Sequence, residues 1–133
     1  MKGNAMKTMA IRDLDATTEQ TRSEFAERWR TGDFYAVVED MHHLCQFIMK
    51  NELIDLLTDG YEILQTGLTA DEKAEWEQII NDVNGVEIDT TAPTRKQIEA
   101  FPVIQQRFGR CCERLMGNVM QPYSDRMIKG VSI

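Results

Sequence analysis

The sequence predicts an all-α protein, a single compact bundle of four to six helices, and three observations carry that expectation. Apolar residues recur every three or four positions over most of the chain, the spacing of one buried helical face. Capping-box pairs, in which a Thr is followed three residues later by Gln or Glu, stand ahead of three of these stretches at Thr17–Gln20, Thr69–Glu72 and Thr94–Gln97. Only residues 86–93 have extended character, and one short extended segment cannot form a sheet alone. With 133 residues the chain can build one core but not two ordinary ones, so 1–133 reads as one domain. Residues 1–15 and 122–133 are expected as frayed or extended tails.

The elements follow in order. A helix near 17–31 carries Phe25 and Trp29 four residues apart, with Gly32 as the residue past its end. Asp33 caps the next helix, where Phe34, Val37, Val38, Met41, Leu44, Cys45 and Ile48 keep helical spacing. Phe47 lies off that face and close to Ala36, which predicts a second buried side, either as the central helix of a monomer or against a second copy in a homodimer. Lys50-Asn51-Glu52 interrupts the stripe and Leu53, Ile54, Leu56 and Leu57 resume it, which fits one bent helix or two helices. Asp59-Gly60 then reads as a turn, followed by a short helical piece from Tyr61 to Gln65 that Gly67 ends. The capping box at Thr69 opens a helix bearing Trp76, Ile79, Ile80 and Val83, stopped at Asn84-Gly85. The last stripe runs Ile98, Phe101, Ile104, Phe108, Cys111, Leu115 and Val119. Because proline removes a donor and clashes with the preceding turn, Pro102 and Pro122 should confine the long final helix to about 102–120.

Charge is unevenly distributed. Residues 1–32 carry six basic and five acidic side chains, residues 33–90 two and fourteen, residues 91–133 seven and three, giving net charges of +1, −12 and +4. An acidic middle of this strength repels phosphate backbones and attracts a basic partner, although part of it is expected to pair with the basic C-terminal helix. The three cysteines, Cys45, Cys111 and Cys112, are odd in number and two are adjacent, poor material for a disulfide framework. The first ten residues contain no uninterrupted apolar run, no stretch reaches the ~18 apolar residues of a membrane span, and no N-glycosylation acceptor occurs. A cytoplasmic setting without membrane contact is therefore expected.

Candidate chemistry is sparse. His42 and His43 are the only histidines, and at about 100° per residue on a helix they diverge too far to hold one metal ion together. His42 with Cys45 at i, i+3 is the one possible start of a zinc site, needing Cys111, Cys112 or a carboxylate to complete it. Cys111 sits between Arg107 and Arg114, cations that favour a thiolate and hence reactivity, against the usual burial of free cysteine in a core. Nucleotide-binding, serine-hydrolase and zinc-protease signatures are absent.

The sequence thus predicts a non-catalytic, cofactor-free interaction module of inhibitor, immunity or adaptor type. Its acidic surface, at Asp55, Asp59, Glu62, Asp71, Glu72, Glu75 and Glu77, would dock on a basic protein. One alternative is a dimeric helical regulator that contacts nucleic acid through Arg107, Arg110 and Arg114, at i, i+3 and i+7 of the last helix. The other is a small enzyme or metal sensor centred on His42 and Cys45.

Overall fold

The computed structural model describes residues 19–132, with side chains to Met127, and contains helices and no strand over that range. The helices are α1 (Glu19–Thr31), α2 (Phe34–Gln46), α3 (Lys50–Leu64), α4 (Ala70–Asn84) and α5 (Thr94–Leu115), the last running through a π-helical turn at Met116–Met120 into α6 (Gln121–Ser132). The first capping box and the N-terminal tail lie outside the described residues.

Two joints behave as the sequence predicts. Gly32 ends α1 in the left-handed region at φ 73°, where a Cβ would be strained, and Asp33 then accepts the Ala36 amide to start α2. At the head of α4, Thr69 Oγ1 accepts the Glu72 amide (3.1 Å) while Glu72 accepts the Thr69 amide (2.9 Å), a complete capping box. The α2–α3 joint differs from expectation. The break falls at residues 47–49 rather than 50–52, and Ile48 turns the chain at φ 55°, a conformation costly for a β-branched residue. Burying the Ile48 side chain in the core offsets that cost.

Asp59 and Gly60 are not a turn. They lie inside α3, which continues unbroken to Leu64 before a 3₁₀ turn at Gln65–Gly67. Gly60 is there because Trp29 packs flat against it: a Cβ would lie 2.5 Å from Trp29 Cζ2 and 2.8 Å from Cδ2. The central helix is consequently α3, not α2. Leu53, Leu56, Leu57 and Leu64 are buried between α1, α2 and α4. The indoles of Trp29 and Trp76 donate to the successive α3 carbonyls of Leu56 (2.9 Å) and Leu57 (3.0 Å), with their rings 5.5 Å apart. Phe47, expected to bury a second side of α2 within a monomer or against a second copy, is 54% exposed in the single chain, with its ring 4.8 Å from that of His43.

The C-terminal segment departs furthest from the prediction. Thr94 does not cap α5; it is the first helical residue after Pro93, and Gln97 instead donates to the carbonyls of Thr90 and Ala92. Pro102 sits within the helix on its exposed side, where water can replace the amide donor that proline withholds from the Ile98 carbonyl. Residues 121–132 are helical rather than frayed. The π turn shifts the ladder so that Val119 and Met120 are both buried, and Pro122 falls where that ladder is already out of α register. α6 then returns toward the start of α4, setting the Tyr123 ring against Gly67 and Phe34.

Candidate functional site

Most of the acidic side chains singled out from the sequence are engaged inside the fold. Arg22 on α1 donates to Asp59 through Nε (3.0 Å) and a terminal nitrogen, and reaches Asp55 at 3.5 Å. Arg126 on α6 grips Glu72 with both terminal nitrogens (2.6 and 2.7 Å) and donates to the Gly67 carbonyl (2.9 Å). Arg114 on α5 bridges Glu75 (3.1 Å) and Asp82, and Asn118 adds a donor to Glu75 (2.8 Å). These cations hold the carboxyls of Glu72, Glu75 and Asp82 below their ordinary range, hydrogen bonding from the arginine being the main cause in each. Glu77 accepts a hydrogen bond from the Tyr61 hydroxyl (2.6 Å), which pushes the phenol up.

Of the seven, Glu62 and Asp71 are exposed and form no ion pair among the described residues, and Glu77 is exposed with a neutral partner. Glu62 lies near enough to Arg22 to add to its charge stabilisation without bonding to it. The stoichiometry matters: Arg22 serves two carboxylates and that cluster keeps a net negative charge after pairing, whereas in the Arg114 cluster Asp82 also faces the Arg107 charge. Expectation and structure thus agree that the basic C-terminal segment folds onto the acidic middle.

The arginine row does not survive as a set. Arg114 is held by Glu75 and Asp82, and a phosphate would have to displace both. Arg107 and Arg110 remain exposed beside a shallow depression of about 370 Å³, with Asp82 in the same lining. Cys111 is buried there, and loss of water raises its thiol, with the Asp82 charge adding to the effect. Burial thus outweighs the arginine neighbours and disfavours a thiolate, in keeping with the packing role expected of a free cysteine over the reactive alternative.

A second feature was not visible in the sequence. α2 and α5 pack side by side, and between them runs a groove of about 780 Å³ with His42, Gln105 and Arg110 on its sides and Cys45 and Cys112 among its lining. The two sulfurs are 3.6 Å apart. Their shared S–H···S contact lowers the Cys45 thiol and raises that of Cys112, so any thiolate in the pair resides on Cys45. Cys112 follows Phe108 by four residues and Cys45 follows Met41 by four, which is all the sequence shows: both lie on core faces, and neither points to the other. The zinc set considered for His42 and Cys45 is not assembled. Among the described residues no group of three or more His, Cys, Asp or Glu side chains is placed to hold a metal ion.

No helix among the described residues is long and apolar enough to cross a membrane. No protein-family model matches the chain, and comparison with curated proteins and with solved structures gave no match.

Proposed function

We propose that this protein is a non-catalytic interaction module whose acidic α3–α4 surface docks on a basic protein. One observation carries the reading. After the arginines at positions 22, 114 and 126 have found their partners, α3 and α4 still hold an acid surplus, with Glu62, Asp71 and Glu77 exposed and, among the described residues, in no ion pair. A fold that only needed its carboxylates for internal pairing would not require the excess, and an exposed surplus speeds encounter with a cationic surface. Within the seven acids the roles divide. Asp55, Asp59, Glu72 and Glu75 hold helices together, while Glu62, Asp71 and Glu77 supply contact charge.

The triple variant Glu62→Lys, Asp71→Lys, Glu77→Lys tests this without touching an interhelical ion pair. Wild-type and variant protein serve as paired baits in lysate from the source cells, with melting temperature measured alongside. The expected result is a basic protein retained by the wild type, released by salt and lost from a variant that still unfolds cooperatively, its melting temperature lowered only modestly by loss of the Tyr61–Glu77 bond and of the acid at the start of α4. A partner held equally by both removes this surface from consideration, and recovered nucleic acid would transfer the function to Arg107 and Arg110.

A further inference from the structure

We propose that Cys45 and Cys112 are a redox-sensitive dithiol in the α2–α5 groove, which a hydroperoxide oxidises to a disulfide that fastens α2 to α5. The geometry is the first support. The sulfurs approach to 3.6 Å from two different helices, 67 residues apart in sequence, so bond formation needs a short closing movement of side chains that already face each other. Access is the second. Both residues are nearly buried, at 9% and 8% exposure, yet both line the same groove of about 780 Å³, ample for a small peroxide. The third support is polarity. Either sulfur can donate in the S–H···S contact, and that contact lowers the Cys45 thiol, which favours thiolate on Cys45, the form that attacks peroxide. Cys111, the adjacent residue, lines the depression beside Asn81 and Asp82 instead and serves as an internal control.

The chemistry balances with the hydroperoxide as the two-electron oxidant. The Cys45 thiolate attacks the distal peroxide oxygen, the O–O bond breaks, and the leaving oxygen takes up the proton that Cys45 released to solvent on ionising, giving Cys45 sulfenic acid and water or an alcohol. The Cys112 sulfur then attacks the Cys45 sulfur, an S–S bond replaces the S–O bond, and the hydroxyl leaves as water with the Cys112 proton. Two thiols lose two electrons and two protons, and a dithiol reductant reverses the change.

The test treats the whole reduced protein with hydrogen peroxide, blocks remaining thiols by alkylation under denaturing conditions, and maps the peptides by mass spectrometry. The expected product is a monomer lighter by two hydrogens, with a Cys45–Cys112 cross-linked peptide, Cys111 alkylated, and full reversal by dithiothreitol. In Cys112→Ser, Cys45 should instead accumulate sulfenic acid that dimedone traps; in Cys45→Ser, Cys111 and Cys112 should both stay reduced at the same dose. A cross-link through Cys111, a cross-link between chains, or survival of Cys45 and Cys112 as thiols at peroxide doses that oxidise free cysteine each overturns the proposal. The wild-type peptide map decides the matter even if a variant folds poorly, and it is independent of partner binding.

Discussion

Replacing Gly60 with alanine should destabilise the protein, although the same change in an ordinary helix stabilises it. Glycine inside a helix costs about 1 kcal/mol relative to alanine, so helix propensity alone makes Gly60→Ala favourable by that amount. Against it stands the Trp29 ring, whose carbons would lie 2.5 and 2.8 Å from the new methyl group, inside the distance that real Cβ contacts reach. Trp29 cannot step aside. It is 1% exposed, its indole nitrogen is bonded to the Leu56 carbonyl at 2.9 Å, and its ring is packed on Trp76 and Phe34. Overpacking of this kind costs about 1–3 kcal/mol and is felt because a close-packed core has no slack. Ring contacts this short place the cost in the upper half of that range, so the net expectation is a loss of roughly 1–2 kcal/mol once the propensity gain of about 1 kcal/mol is subtracted. Gly109 is the matched control: it also lies within a helix, nothing is within 4 Å of its Cβ position, and Gly109→Ala should gain about 0.5–1 kcal/mol. Urea unfolding followed by tryptophan fluorescence measures both. If Gly60→Ala proves as stable as the parent or more so, the packing of α1 on α3 described above is wrong.

Acid sensitivity should depend on Glu72. Its carboxyl is held below the ordinary range by Arg126, so its contribution is fully present above the unfolded value, near pH 4.3, and is lost as pH falls through the folded value. Glu72→Gln should therefore lower the melting temperature at neutral pH and flatten its decline below about pH 4, measured by calorimetry across that window. Oxidation of the dithiol should raise stability, since a disulfide there closes a loop of 67 residues, for which chain entropy sets a ceiling of about 4 kcal/mol. Comparing denaturant midpoints of the oxidised and reduced protein checks it, and an oxidised form that unfolds earlier would mean the bond strains α2 against α5.

Five of the helical stretches could be read from the chain because each carries its own periodic stripe and most carry a local stop or start, such as Gly32, Thr69 or Gly85. The misreadings share one cause: a residue with a strong local meaning was used for a tertiary one. Gly60 resembles a turn residue and is a seat for an indole. Pro102 and Pro122 resemble stops, but one lies on the solvent side of its helix and the other follows a π turn. Phe47 does not make α2 a central helix, because it falls just past the end of α2 at Gln46 and stays exposed within the single chain. The sites divide the same way. The charge asymmetry of the segments foretold that arginines after residue 100 would meet acids before it, since complementary charge is a property of composition. Which carboxylates those arginines would consume, and that Cys45 would meet Cys112, depend on the rotation of one helix against another, which a periodic stripe fixes only to within a wide face.

That division of the carboxylates into bound and unbound has a consequence for salt. Asp59 and Glu72 are 8% and 7% exposed and directly bonded to arginines that are 44% and 38% exposed, so salt weakens these contacts less than it weakens charges standing free in solvent. Glu62 and Asp71 stand in solvent, where raising the salt from 0.05 to 0.5 M shortens the screening length from about 14 Å to about 4 Å and removes most of their long-range attraction. Salt should accordingly strip a basic partner from the α3–α4 surface in a range where the bundle itself stays folded. Partner binding by titration and unfolding by calorimetry, measured over the same salt series, should separate into a steep curve and a nearly flat one. If both fall together, the charges that hold the helices and the charges that meet the partner are the same, and the assignment of Glu62, Asp71 and Glu77 as a distinct contact set fails.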